Sequence, residues 1–217
     1  MTKAIGEHHF SCTDTLFVAG TETNTATLEW AMAELLQNEK AMSKAKQEMD
    51  QIIGKGKLVE ESDVARLPYL QAVIKETFRL HLPVPFLIPR RANANVEICG
   101  YTIPKDAHVL VNVWAIGRNS SIWENANLFS PERFLGSEVD VKGHNYELTP
   151  FGVGRRICPG VPLAMRTLYL MLGSLINCFD WKLEDEVTID DMNMEDKFGI
   201  TLVKAQPVRV IPKKISN

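Results

Sequence analysis

Pro83 divides the chain into two textures, and that division constrains the fold more than any other feature of the sequence. Ahead of it, three segments repeat apolar residues at steps of three and four, the spacing of helices with one buried face. The first helix is predicted over 13–36, with Leu16, Ala19, Gly20, Thr23, Thr27 and Trp30 on one stripe. The second, over 39–53, carries Ala41, Ala45, Met49 and Ile52 and stops at Gly54. The "GKGK" that follows lacks the spacing and the Ser/Thr of a phosphate loop, so it reads as a helix stop. The third begins near Pro68, a residue preorganised for a first helical position, and carries "YLQAVIKETFRLHL" up to Pro83.

Beyond Pro83, the β-prone pieces "EICGYTI" and "HVLVNV" alternate with Pro, Gly and Asn from Val84 to Val111, predicting a small sheet. An irregular stretch over 119–151, a last helix over 162–178 and a final hairpin near 198–212 complete the reading. The expectation is a mainly α chain with small β-sheets and no internal domain boundary.

Charge and composition remove several function classes. Twenty-four basic against 27 acidic residues leave a net charge of -3, which gives no reason to expect a nucleic-acid partner. A 45% hydrophobic, 24% charged composition belongs to a globular chain rather than a disordered one. Apolar runs such as Leu168 to Leu172 are too short for a bilayer span, and "MTKAIGEHHF" has no signal-peptide pattern, so the chain reads as soluble. Four cysteines without a CxxC pair suggest a reducing compartment rather than a disulfide framework. The five histidines form no HExxH and no zinc spacing.

The ten residues "FGVGRRICPG" (Phe151 to Gly160) follow neither period. Arg155 and Arg156 precede Cys158, and a helix is expected to open four residues after it. Positive charge and a helix N-terminus both favour a thiolate. Glycines allow close backbone approach, and Pro159-Gly160 turns the chain into the helix. A buried structural cysteine beside a surface loop would also suit these residues. The full pattern Phe-x-x-Gly-x-Arg-x-Cys-x-Gly resembles the haem-binding loop of the cytochromes P450, the haem-thiolate monooxygenases, whose known iron anchor is a cysteine thiolate. The resemblance implies haem b (iron protoporphyrin IX) with Cys158 as axial ligand. Phe151, Gly152 and Gly160 would shape the haem seat, and Arg156 would meet a propionate.

Three further segments extend the resemblance in the family's order. "ETFR" places Glu76 and Arg79 three residues apart on one helical face, a spacing that an exposed ion pair would also satisfy. The family joins this pair to the Arg of a "PERF" segment, here Arg133, as a structural cluster. "AGTETN" puts Gly20, Thr21 and Thr23 inside a helix, which costs stability. Small-residue packing would explain it; in the family, Ala19 and Gly20 would open a groove for dioxygen, and Glu22 and Thr23 would relay protons to it. "VPFLIPRR" matches a substrate-lining segment ending in a propionate-binding residue, Arg90. Val84, Phe86, Leu87 and Ile88 would contact substrate, as would Phe198, Gly199 and Ile200, although sheet core would suit each as well. Glu22 stands where Asp is common, Asn24 where Thr or Ser is usual, and Ala126 where Pro is common.

The resemblance runs from about Thr13 to Pro212 and is strongest to plant microsomal members of the geraniol hydroxylase and ferruginol synthase type. It implies the C-terminal part of a single cytochrome P450 domain, a terpenoid or other small apolar substrate, dioxygen, and NADPH-cytochrome P450 reductase as electron donor. Location at the endoplasmic reticulum membrane follows by resemblance, with the membrane anchor, the pocket roof and one propionate-gripping helix absent from these 217 residues. A non-catalytic fragment or pseudoenzyme of the same ancestry stays open. So does a haem protein that rearranges hydroperoxides, although Glu22 and Thr23 argue against it.

Overall fold

In a computed structural model of the chain, residues 12–184, 188–189, 191–199 and 201–215 are described, with side chains from Phe17 onward. The packing is centred on the third helix in chain order, α3 (Pro68–Leu80), which buries residues on every side, charged Glu76 and Arg79 among them. A helix apolar or satisfied all round belongs in the middle of a bundle. Pro68 opens it, and a remote carboxylate caps it: Glu48 accepts from the backbone N–H of Tyr69 at 2.7 Å and of Leu70 at 3.0 Å. Those donors would otherwise lack partners. Burial raises the Glu48 pKa, and the two backbone bonds act in the opposite direction.

Around α3 lie α1 (Cys12–Gln37), α2 (Glu39–Ile52) and α5 (Val161–Cys178), which also pack on one another. A single residue separates the first two: Asn38 caps α2 by accepting from Ala41 N–H at 3.1 Å. Ala41, Ala45 and Met49 are buried as the periodicity predicts. The helix stops at Gly54, whose φ of +96° no β-carbon residue takes readily. Asn177, near the end of α5, then fastens the following turn by donating to Gly54 O at 2.9 Å and Lys57 O at 2.8 Å.

Three expectations are corrected. The stripe drawn along α1 divides in two: Ala19 and Gly20 are exposed and Thr23 half-buried, whereas Thr27 and Trp30 are buried. Only the C-terminal half of α1 is enclosed by neighbouring helices. Second, α5 is long and apolar enough to cross a membrane by length and composition, despite its short unbroken runs. Here Leu168, Leu172, Gly173 and Ile176 pack into the helical core.

Third, the β structure consists of separate two-stranded ladders. β1 (Arg90–Arg91) pairs antiparallel with β4 (His108–Val109), and β2 (Val96–Ile98) with β3 (Tyr101–Ile103). Cys99 and Gly100 turn the second ladder with φ of +51° and +82°, both positive as a tight two-residue hairpin requires. "HVLVNV" yields only a two-residue strand because Asn112 caps a short helix, α4 (Val113–Gly117), accepting from Ala115 N–H at 3.0 Å. At the C-terminus, β6 (Asp196–Lys197) pairs with β7 (Val203–Lys204), while β5 (Phe179–Leu183) pairs with β8 (Val210–Lys214). The hairpin expected near 198–212 is therefore shorter and earlier. Pro207, which has no N–H, ends it, and the last strand returns to β5.

Candidate functional site

In the ion cluster predicted from "ETFR" and "PERF", the Glu76–Arg79 pair is fully buried rather than a surface pair, and Arg133 is half-buried. Glu76 and Arg79 have side chains that are 0% exposed. Arg79 Nε donates to Glu76 Oε2 at 2.7 Å and Nη2 to Oε1 at 2.8 Å. Its remaining N–H groups reach the carbonyls of Gly117 at 2.6 Å, Ala126 at 2.5 Å and Leu128 at 3.0 Å. Arg133 Nε donates to Glu76 Oε1 at 3.0 Å, and Ser130 N–H to the same oxygen at 2.7 Å. The cluster pins the irregular stretch after α4 against α3. Ala126, standing where Pro is common, is buried and supplies one of those carbonyls.

Phe78, one residue before Arg79, meets Phe151 edge-on with ring centroids 5.2 Å apart. Phe151 begins the cysteine loop, so α3 positions that loop. Within it, Gly152 and Gly154 take φ of +74° and +66°, and the N–H of Cys158 donates to Phe151 O at 2.9 Å, closing the loop on itself. Gly160 ends the loop at the start of α5. The Cys158 thiol is exposed, and a β-carbon at Gly160 would sit 3.6 Å from its sulfur. A methyl at that point would crowd whatever the sulfur binds.

The segment after α3 lies against this loop. A β-carbon built on Gly152 would lie 3.6 Å from Leu87 Cδ1 and 4.0 Å from Arg90 Nη2. Leu87 holds a φ of +52°, a conformation that costs a residue with a β-carbon roughly 1–2 kcal/mol. Nothing in its sequence neighbourhood announces that strain. Val84 is half-buried, while Phe86 and Ile88 are exposed. Neither the Arg90 nor the Arg156 side chain has a hydrogen-bond or ion-pair partner among the described residues, and Arg156 is exposed.

On α1, Thr23 Oγ1 donates to Ala19 O at 2.6 Å, Asn24 Nδ2 to Gly20 O at 2.7 Å and Thr27 Oγ1 to Thr23 O at 2.9 Å. Such back-bonding bends and loosens a helix locally. Asn24 thus occupies a carbonyl in the way a shorter Thr or Ser would. A β-carbon on Gly20 would meet nothing within 4 Å, so the helix surface there is open.

Sequence reasoning missed the partner of Glu22. Thr201 Oγ1 donates to Glu22 Oε1 at 2.7 Å, from the turn between β6 and β7. Leu202 N–H, beside it, donates to Pro83 O at 2.7 Å. Helix α1, the hairpin bearing Phe198 and the segment after α3 are therefore joined through two neighbouring residues. Phe198 is exposed; Ile200 lies outside the described residues.

Below this junction sits a polar cluster that no motif announces. Lys204 Nζ lies 4.4 Å from the Trp30 ring, which stacks on His81 at 3.9 Å, and His81 Nε2 is 2.5 Å from Glu34. Burial lowers the Lys204 pKa against the pull of Glu29, Glu34 and Asp196, and burial raises that of Asp196.

The donor set fits a haem. An exposed soft sulfur donor suits iron, two guanidiniums without partners among the described residues suit carboxylates, and a glycine, with no side chain, stands next to the sulfur. The cytochrome P450 family model matches residues 6–210.

The chain belongs to the cytochrome P450 family.

It is 58% identical over 204 residues to geraniol 8-hydroxylase of Catharanthus roseus, covering 94% of this chain and 41% of that protein. Cytochrome P450 76C1 of Arabidopsis thaliana is 59% identical over 92% of this chain and 39% of its own length. Drimenol monooxygenase of Persicaria hydropiper is 58% identical over 92% and 40%. A zebra fish cytochrome P450 solved with abiraterone superposes with a TM-score of 0.81 at 33% identity, covering 91% of this chain and 45% of that one. The chain thus has the cytochrome P450 fold and spans about two fifths of the length of the curated relatives it matches.

Proposed function

We propose that this chain forms the thiolate side and the oxygen-groove side of a monooxygenase acting on a small apolar plant terpenoid. The observation that carries the reading is the self-closed glycine loop presenting the exposed Cys158 thiol, with Arg90 beside that loop and Arg156 within it. The terpenoid class is supported by the resemblance to geraniol 8-hydroxylase and drimenol monooxygenase. The overall reaction would combine substrate, O2, NADPH and a proton into hydroxylated product, water and NADP+.

Cys158 would hold haem iron, and Arg90 and Arg156 its two carboxylates, with Phe151, Gly152 and Gly160 shaping the seat. When bound, the haem supplies dioxygen activation. Ala19 and Gly20 leave the groove open on α1. Glu22 and Thr23 would hold and move protons there, at a carboxylate oxygen and at Oγ1. Val84, Phe86, Leu87, Ile88, Phe198 and Ile200 would offer the apolar surface that orients substrate. Glu76, Arg79 and Arg133 make no contact in this chemistry and act by fixing the loop's support.

Electrons would come from NADPH-cytochrome P450 reductase at the endoplasmic reticulum membrane. Arg155, exposed in the cysteine loop, is a docking candidate; Arg166 is already paired with Glu61 at 2.8 Å. The deciding experiment is Cys158→Ser in the haem-loaded protein. Loss of the red-shifted ferrous carbon-monoxide band supports the reading, and an unchanged band rejects it.

A further inference from the structure

We propose that Thr201 is a positioning residue whose buried hydroxyl holds the Glu22 carboxylate, joining the Phe198 hairpin to the proton-handling stretch of α1. The inference rests on the relay reading of Glu22 given above. Glu22 is exposed on α1, and an exposed glutamate ordinarily samples several rotamers; ordering one costs up to about 2 kcal/mol of side-chain freedom. Here one donor selects its orientation. Thr201 is only 8% exposed, and its Oγ1 reaches Glu22 Oε1 at 2.7 Å across 179 residues of chain.

The donor is itself held firmly. Next to it, Leu202 N–H bonds Pro83 O at 2.7 Å, and Leu202 is buried. Three residues on, Lys204 is buried over the Trp30 ring and donates to Asn193 O. Farther along, Val208 N–H donates to Glu29 Oε1 at 3.0 Å. Glu22, Glu29 and Trp30 are seven and eight residues apart, so they share one side of α1. The C-terminal segment is tied to that side at Glu22 and again at the adjacent Glu29 and Trp30. Glu22 is the tie nearest the open surface at Gly20.

The consequence is a link between substrate and proton supply. Phe198 is 72% exposed and stands three residues before Thr201 on the same turn. Substrate packed on Phe198 presses on the turn that orients the carboxylate. Thr23, next to Glu22, keeps its own hydroxyl on Ala19 O, so the two oxygens of the relay are fixed by different partners. Thr201 sets one of them and α1 itself sets the other.

The test uses the haem-loaded protein with Thr201→Val, Thr201→Ser, Glu22→Ala and the Thr201→Val/Glu22→Ala double variant. Amide hydrogen exchange of residues 201–204 reads the tie without turnover. Thr201→Val and Glu22→Ala should each speed that exchange about three- to tenfold, the loss of one hydrogen bond. The double variant should be no faster than either single, and Thr201→Ser should restore the original rate. In turnover, measured with the same substitutions in a fusion that adds the remaining length of a matched relative, Thr201→Val should send a larger fraction of NADPH electrons to hydrogen peroxide, and Thr201→Ser should not. Independent, multiplying exchange effects, or equal peroxide fractions in the Val and Ser variants, would overturn the proposal. Glu22→Ala on its own separates the two readings. If it leaves the peroxide fraction unchanged, the relay itself is wrong and the positioning role falls with it. If it raises that fraction while Thr201→Val does not, only the positioning role is lost.

Discussion

All five N–H donors of Arg79 find acceptors, two on Glu76 and three on carbonyls drawn from residues 38 to 49 positions away. That arrangement makes the residue irreplaceable by another cation. Lysine offers three donors from a point charge and cannot reproduce the planar fork. Glu76→Ala leaves the guanidinium buried with its counter-charge gone, a loss of about 3–5 kcal/mol, comparable to the whole stability of many domains. Both Glu76→Ala and Arg79→Lys should therefore yield little soluble haem-binding protein. Normal yield with turnover alone abolished would show the cluster to be catalytic. Thr23→Ala is the contrasting case at the same scale. Among the described residues its hydroxyl bonds only the helix's own carbonyl, so folding should survive. Product per electron should fall instead, because proton delivery, which typically contributes about 10²–10⁴-fold to rate, is impaired.

Between elements, the joints are made by contacts that no motif announces. Glu132 accepts from Lys44 Nζ of α2 at 2.6 Å, Tyr69 Oη of α3 at 2.9 Å and Ser130 Oγ at 3.1 Å. Burial pushes its pKa up, but the Lys44, Tyr69 and Ser130 bonds together with its backbone outweigh that and hold it at about 2. A carboxyl depressed below its unfolded value of about 4.3 stabilises above that pH and loses its contribution as pH falls towards 2. Glu132→Gln should thus be less stable than the parent at pH 6, with the gap closing near pH 2.5, as read by urea unfolding. A pH-independent gap would deny the linkage. Gly117 makes a second joint: a β-carbon there would stand 2.2 Å from Arg79 O, on backbone that cannot yield. Gly117→Ala should cost about 1–3 kcal/mol or more through overpacking.

What was legible in the sequence follows from this. Helix spans, the Gly54 stop and the cysteine loop depend on neighbours within a few positions, so pattern and turn chemistry reveal them. Lys44 with Glu132, or Thr201 with Glu22, are 88 and 179 residues apart, ordinary residue types joined only by the fold. The motif residues Glu76 and Arg133 were found across 57 positions because the family resemblance supplied the pairing; residue spacing could not have done so. The exposure of Ala19 and Gly20 was hidden for the opposite reason. Helical periodicity shows which residues share a face, and cannot say where along the helix its neighbours end.

For the molecule as a whole, the decisive fact is that the chain spans about two fifths of the relatives it matches. Phe17, Val18, Ile88 and Phe198 are each more than half exposed, and they lie within or next to the segments proposed for groove and substrate. Apolar surface of that kind marks an interface or a binding surface. In the proposed reading the closed loop, the thiol and two guanidiniums are the local parts of the haem seat, and they lie within these residues. Coupled chemistry also needs a water-excluding pocket, and misplacing a reacting group by about 1 Å can lower a rate roughly 10²-fold. Residues 1–217 expressed alone should therefore take up haem weakly and give no coupled, regioselective hydroxylation with a reductase and terpenoid substrates. Fusing the remaining length of a relative such as geraniol 8-hydroxylase ahead of the matched region should tighten haem binding and raise product per NADPH together. The carbon-monoxide difference spectrum and product yield, measured on both proteins, check this. Coupled hydroxylation by residues 1–217 alone would make the chain a complete enzyme. Failure of the fused protein to show a thiolate-type band would favour a non-catalytic member of the family.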